Sequence, residues 1–284
     1  MPADRSLEWV CGRFRMSLKR PLVMGIVNVT PDSFSERHDR ADPVEAIGWA
    51  ERLVAEGADL IDIGGESTRP GAPPVDASLE LDRILPVLEA MRGRGIPVSV
   101  DTRKPEVMRV VLEHGADIIN DVGGLTAPGA VETVAASGCG VCVMHMQGDP
   151  ALMQNAPQYH DVVGQVSEFL AERRAALEAA GVSRARIMFD PGIGFGKSLN
   201  HNLALLRALP VLGKMGPMLV GLSRKSFVGR LTGRDVGERL PGSLAAMLAA
   251  VQDGAAVVRV HDVAATRDAL KVWHALTAEA WDGT

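Results

Sequence analysis

One rhythm repeats along the chain: a short apolar run, a polar or Gly/Pro-rich loop, then a segment whose apolar positions recur every three to four residues. The apolar runs predict strands over 22–28, 59–63, 97–101, 117–121, 140–145, 186–190, 218–222 and 256–260. The Ala/Leu/Glu-rich segments between them predict helices near 43–56, 78–92, 105–114, 128–137, 160–180, 200–209, 242–253 and 264–279. Strands alternating with helices specify a parallel sheet, whose strands are covered on both faces and so read as near-continuous apolar runs. Eight such units over about 250 residues match the closed (β/α)8 barrel, the TIM-barrel architecture. An open doubly wound sheet is the rival, but it commonly has fewer strands and a clear nucleotide fingerprint. No linker or low-complexity stretch divides the chain, which reads as one domain over 1–284 with a short lead-in over 1–20.

Two loops break the rhythm by their length. Residues 29–42 contain Thr30-Pro31-Asp32-Ser33-Phe34-Ser35, and residues 64–77 contain Gly64-Gly65-Glu66-Ser67-Thr68-Arg69-Pro70-Gly71. Long connections in a compact domain are typically functional lids or disorder, and these two follow the first and second strands on one rim.

Composition sets the outer limits. The 284 residues are 46% hydrophobic and 23% charged, an ordinary globular balance, with a formal net charge of -5 from 30 basic and 35 acidic residues. No basic run stands out, so neither nucleic acid nor an anionic membrane is expected as a partner. The apolar runs are strand-length, far short of the roughly 20 residues that a spanning helix needs. Asp4, Arg5 and Glu8 near the N-terminus do not read as a signal peptide. With three cysteines, this predicts reduced thiols and a cytoplasmic address. Cys139 and Cys142 spell C-x-x-C, but within a strand residues three apart point to opposite faces, so the pair reads as core packing and not as a metal or redox site.

The candidate chemistry lies at the strand ends. In order they carry Asn28, Asp62, Asp101, Asn120-Asp121, His145, Asp190, Ser223-Arg224-Lys225, and Arg259 with His261. A single polar residue there caps a helix readily, as Asp101 before Thr102 would. Eight together converge on the C-terminal mouth, where barrel enzymes assemble their sites. The set is mixed in sign. Asp62, Asp101, Asp190 and Asn120 suit a planar ligand rich in N–H donors, and Arg69, Lys225, Arg259 and His261 suit phosphate or pyrophosphate. The glycine-rich run 191–198 resembles a phosphate loop, but Pro191 occupies the position of the first Walker glycine, which disfavours ATP binding.

The runs Met24-Gly25-Ile26-Val27-Asn28-Val29-Thr30-Pro31-Asp32-Ser33-Phe34-Ser35 and Asp62-Ile63-Gly64-Gly65-Glu66-Ser67-Thr68-Arg69-Pro70-Gly71 resemble two signatures of the bacterial dihydropteroate synthase family. Asp101-Thr102, Asn120-Asp121, Asp190-Pro191-Gly192, Gly194-Phe195-Gly196-Lys197, Ser223-Arg224-Lys225-Ser226 and Arg259-Val260-His261-Asp262 follow in the family's order. The resemblance spans roughly residues 20 to 275. It implies condensation of 6-hydroxymethyl-7,8-dihydropterin pyrophosphate with p-aminobenzoate, in a homodimer that uses Mg²⁺ and is a sulfonamide target. It implies that Asp62, Asp101, Asn120, Met144, Asp190 and Lys225 surround the pterin. Thr68, Arg69, Arg259 and His261 would face the diphosphate, and Asn28 would help place the metal. Pro70, Phe195, Lys225 and Ser226 would border p-aminobenzoate. The catalytic set so implied is Asp32, Arg69, Asp101, Lys225, Arg259 and His261.

Two departures from the family pattern stand out. Glu36-Arg37-His38-Asp39 replaces a glycine-containing continuation of the first long loop, removing positions that adopt φ > 0 easily. Arg103 stands where an uncharged residue is usual and reads as a surface residue at a helix start. A pterin-dependent methyltransferase and a non-catalytic pterin-binding relative are the competing readings. The former has no need of the Ser-Thr-Arg-Pro-Gly loop or the Arg-x-His pair.

Overall fold

The computed structural model describes residues 8–30, 42–67, 71–148, 153 and 157–277. Eight parallel strands close into a barrel: β3 (Leu22–Asn28), β4 (Leu60–Gly64), β5 (Val98–Asp101), β6 (Ile118–Asp121), β7 (Gly140–Met144), β8 (Ile187–Asp190), β9 (Met218–Gly221) and β10 (Ala255–Val260). They pair in sequence order, and β10 closes on β3 through Val257↔Leu22 to Val260↔Gly25. The expected (β/α)8 barrel is therefore present, with strand bounds within a residue of those read from the apolar runs.

The alternation within each strand separates two cores. In β4, Ile61 and Ile63 point outward and join the large core formed with Leu53, Ile84, Val87 and Leu88 of the surrounding helices. Leu60 points inward and packs with Met24, Ile118, Cys142, Met188 and Leu219 in the barrel's lower layer. Asp62, two residues beyond Leu60, therefore faces the interior one layer higher, at the C-terminal mouth. Cys139 belongs to the outer core and Cys142 to the inner one, as opposite faces require, and all three cysteines are free and buried.

The outer ring comprises α1 (Pro43–Ala55), α2 (Ala77–Met91), α3 (Pro105–Glu113), α4 (Ala130–Ala135), α5 (Val162–Ala179), α6 (Leu199–Arg207), α7 (Leu209–Leu212), α8 (Ser226–Thr232), α9 (Leu240–Gln252) and α10 (Val263–Thr277). Local chemistry fixes several starts. Asp42 accepts from Val44 N before Pro43 at the first position of α1, and Asp161 accepts from Val163 N and Gly164 N at α5. Ser198 and His201 form a reciprocal cap at α6. The short helix α8 lies where the sequence reading has only loop, and α7 begins at the last residue of the helix read over 200–209.

From Glu8 the lead-in is structured. It forms a hairpin, β1 (Glu8–Cys11) and β2 (Phe14–Ser17), across the N-terminal floor of the barrel. Trp9 is fully buried in the inner core and donates Nε1–H to Arg186 O at 3.0 Å. Gly12 N donates to Gly138 O at 3.0 Å, and the Arg13 guanidinium meets Asp117. Four-residue strands show too few alternations to stand out as a periodic pattern, so their docking on the barrel defines them.

Candidate active site

The strand ends bring one guanidinium between two carboxylates. Arg259 of β10 donates from Nε to Asp62 Oδ2 at 2.6 Å and from Nη2 to Asp101 Oδ2 at 2.9 Å. Asn120 of β6 donates Nδ2–H to the same Asp62 oxygen at 3.0 Å. Asp62 is fully buried, and its Oδ1 has no hydrogen-bond partner among the described residues. A buried carboxylate oxygen without a donor is costly, and an N–H-bearing ligand removes that cost.

The charges perturb one another. Burial opposes the Arg259 charge, but Asp62 and Asp101 beside it outweigh that and hold the guanidinium above its ordinary value. Burial pushes Asp101 above the ordinary carboxylate range; Arg259 pulls it back, but its charge is shared with Asp62, whose own negative charge adds to the rise. Asp190 is likewise raised by burial, against the pull of Lys225 and of its own bond from Gly192 N at 2.7 Å. Burial draws Lys225 down to about 8, with Arg259 adding to that and Asp190 opposing it.

A second wall rises from the β8–α6 loop. Lys225, at the N-terminal boundary of α8, donates to Ile193 O, and its Nζ lies 4.7 Å from the centre of the Phe195 ring. Ser226 begins α8 and is exposed. His261 follows β10, with Nδ1 3.1 Å from Ser223 Oγ, which also accepts from His261 N at 3.3 Å. Met144 ends β7, buried and in register with Asp190. Asn28 ends β3, half-buried, and its side-chain oxygen and that of Asp101 flank Gly64. Asp32, Thr68, Arg69 and Pro70 lie outside the described residues, as does the Glu36–Asp39 departure.

Arg259, expected to face a diphosphate, is bonded to Asp62 and Asp101. Two expectations change. Two of the eight strand-end sets include residues serving the loops. Asp121 accepts from Gly123 N and Leu125 N at 2.6 and 2.7 Å, a local cap, and His145 packs behind the mouth against Phe169 and Lys197. Arg103 is not a plain surface residue: its Nε donates to Glu66 Oε1 at 3.1 Å, and Glu66 also holds Lys104 and Val75 N. The second long loop is thus tied at its base to the end of β5, a pairing 37 residues apart in sequence.

A family model described as pterin binding enzyme matches residues 24–261. This chain belongs to the pterin-binding enzymes. It is 51% identical over 276 residues to a dihydropteroate synthase of Neisseria meningitidis serogroup B, covering 94% of this chain and 97% of that one. Among solved structures, dihydropteroate synthase from Xanthomonas albilineans with 4-aminobenzoic acid superposes with a TM-score of 0.91 at 50% identity, covering 97% of this chain and 100% of that chain. The Burkholderia cenocepacia enzyme complexed with 7,8-dihydropteroate superposes with a TM-score of 0.87 at 51% identity, covering 95% and 96%.

For a pterin-binding enzyme, the residue that the sequence reading passed over is Lys197. It is 3% exposed, and its ammonium contacts His145 Nδ1 at 3.0 Å, His145 O at 3.2 Å and Phe195 O at 3.0 Å. A Walker lysine must reach phosphate; this one is committed to protein acceptors, which agrees with the rejection of an ATP loop. A lysine after three alternating glycines is a signal for a special loop, but its acceptors come from another strand and are invisible locally.

Proposed function

We infer that the chain catalyses the dihydropteroate synthase reaction. The nitrogen of p-aminobenzoate forms a bond to the methylene carbon of 6-hydroxymethyl-7,8-dihydropterin pyrophosphate as the carbon–oxygen bond breaks. Pyrophosphate leaves with the bonding pair, and the nitrogen loses a proton, giving 7,8-dihydropteroate. The observation that carries this reading is the meeting of the unpartnered Asp62 Oδ1 with Asn120, Asp190 and the cations Arg259 and Lys225 at one barrel mouth.

The pterin ring enters the mouth with its amino-pyrimidine edge toward Asp190 and its other N–H donors toward Asp62, while Asn120 and Lys225 meet its remaining edge. Met144 forms an apolar side of the pocket. Arg259 exchanges a carboxylate for the diphosphate, joining His261, the loop cation Arg69 and the hydroxyl of Thr68. Asp101, raised by burial, gains most from positive charge arriving beside it, so it stabilises cationic character at the methylene. Phe195, Lys225, Ser226 and Pro70 border the arylamine. The two long loops, carrying Asp32 and Arg69, exclude water that would otherwise capture the methylene.

The side-chain oxygens of Asn28 and Asp101, which both lie against Gly64, are hard donors of the kind Mg²⁺ takes, and they would hold the ion. When bound, the metal adds charge to stabilise the leaving diphosphate. Among the described residues no group of three His, Cys, Asp or Glu side chains is placed to hold a metal ion by itself.

The same reading makes the enzyme a homodimer. An apolar groove of about 400 Å³ between α6, α8 and α9, lined by Leu206, Phe227, Leu231, Ala246 and Ala250, supports that assembly, with Leu231 56% exposed. A cytoplasmic location is supported by three free cysteines, and no helix among the described residues is long and apolar enough to cross a membrane.

The test is pyrophosphate release from the pterin substrate. Release that depends on p-aminobenzoate, with dihydropteroate formed in equal amount, is the expected outcome. Pterin binding without release would leave a non-catalytic relative, and methyl transfer from a methylpterin would leave the methyltransferase reading.

A further inference from the structure

The glycine-rich loop between β8 and α6 is laid at two points against the chain just beyond β7. Gly192 has φ +69, and a Cβ there would lie 1.9 Å from His145 O; Gly196 has φ +62, and a Cβ there would lie 2.6 Å from Gln147 O. Both positions therefore demand glycine for conformation and for space. That closeness lets the loop's carbonyls point in chosen directions. Ile193 O accepts from Lys225, Phe195 O accepts from Lys197, Gly196 O accepts from Tyr159 Oη at 3.0 Å, and Gly194 N donates to Asn202 Oδ1 at 2.7 Å.

Lys197 is the centre of this arrangement. Its three acceptors lie on two elements, the end of β7 and the loop itself. His145 is held well down, to about 3, by burial and then by Lys197, so its ring is neutral and Nδ1 accepts from the ammonium. The His145 ring is in turn braced edge-on by Phe169 at 5.1 Å. The loop segment fixed in this way carries Phe195, whose ring faces the Lys225 ammonium, and Ile193, whose carbonyl holds that same ammonium.

We propose that Lys197 is a positioning residue for the arylamine site: by clamping Phe195 O to the end of β7 it sets the Phe195 ring and, through Ile193 O, the Lys225 ammonium. It touches no substrate and acts through those two side chains. A buried ammonium is a costly way to join two loops, because it must be stripped of water. Burial draws Lys197 down to about 7, with Asp190 opposing that and Lys225 adding to it, yet its N–H donors reach acceptors on both elements, which an apolar side chain does not. The proposal rests on the reading that Phe195 borders p-aminobenzoate, so the test separates the two.

In the full-length enzyme, Lys197→Met keeps the side-chain length and removes the donors. The expected result is a rise in KM for p-aminobenzoate of roughly tenfold, as a displaced wall residue produces, with a smaller rise in KM for the pterin substrate, which Lys225 meets but Phe195 does not. Lys197→Arg, which retains charge and donors, recovers part of that loss; it also serves if Lys197→Met fails to fold. Phe195→Ala is measured alongside. If it raises KM for p-aminobenzoate while folded Lys197 variants do not, the proposal is overturned and the site reading stands. If Phe195→Ala leaves that KM unchanged, both fall. A Lys197 variant that alters both substrates' KM equally, or only the melting temperature, assigns the lysine a structural role and also overturns the proposal.

Discussion

Arg259 on β10 donates to Asp62 on β4 across the closing seam of the barrel, with 2.6 Å between Nε and Oδ2. The carboxylate is wholly buried and the guanidinium about 20% exposed, so Asp62 in particular has no water to fall back on. Removing one member of such a pair leaves the other uncompensated. Asp62→Ala should therefore destabilise the fold by about 3 kcal/mol. Urea unfolding should show a lower midpoint at unchanged slope. A midpoint equal to that of the parent protein would show that Asp101 alone satisfies Arg259.

Asp190 offers the second test of the pocket. Replacing it with Asn substitutes a group that is half donor for a charged acceptor facing the ligand's amino edge. Pterin affinity should fall by about 1.5–3 kcal/mol, the worth of a charge-assisted hydrogen bond in a buried site. Calorimetric titration with the pterin measures it directly, and unchanged affinity would remove Asp190 from the pterin edge.

Lys225 sets a pH dependence. With its pKa drawn down to about 8, the ammonium is charged at pH 7 and increasingly neutral above pH 8. A ligand acceptor gains a charge-assisted bond only from the ammonium form, so affinity should be full at neutral pH and decline as pH rises through 8. Binding also pulls the pKa back up, so pterin binding at about pH 8.5 should take up a proton. Calorimetry in two buffers of different ionisation enthalpy reads that uptake, and Lys225→Met should abolish it.

The distribution of charge bears on the order of bond breaking. In the proposed roles Arg259 and His261 would serve the leaving diphosphate and Asp101 the methylene, and a dihydropterin delocalises positive charge, all of which favours cleavage before attack. With arylamine absent, repeated cleavage and recombination should scramble a heavy-oxygen label from the bridging position into the non-bridging positions of the same phosphate. Arg259→Ala should suppress the exchange. Active enzyme that never scrambles would indicate direct displacement by the amine.

The floor of the barrel is testable by stability alone. Trp9 fills the inner core beneath the site and is fully buried, so Trp9→Ala should cost about 3–5 kcal/mol. Because Trp9 lies at the opposite end from the mouth, pterin affinity below the melting temperature should remain that of the parent. A stability loss under 1 kcal/mol would mean that the hairpin merely covers the barrel.

Runs of apolar residues and their spacing are local properties, and for that reason the eight barrel strands, their helices and the opposed faces of Cys139 and Cys142 were legible in the sequence. The strand-end polar residues were legible too, since a barrel places every such residue on one rim. The hairpin at 8–17 was not, because Trp9 and Cys11 acquire their inward face by docking on β6, β7 and β8. Nor could the sequence reveal which polar ends meet. Asp121 closes its own loop and Asp62 takes Arg259 from 197 residues away, though both read as carboxylates at strand ends. Arg103 looked like a surface helix start until Glu66 was placed beside it, and Lys197 looked like a loop residue until β7 supplied its acceptors. The sequence by itself determined the barrel, its functional rim and the chemical types gathered there, because periodicity and residue type are carried by neighbours in the chain. Only the tertiary structure decided the partners, because a hydrogen bond of 3 Å between strands depends on closure and register, which no local run of residues encodes.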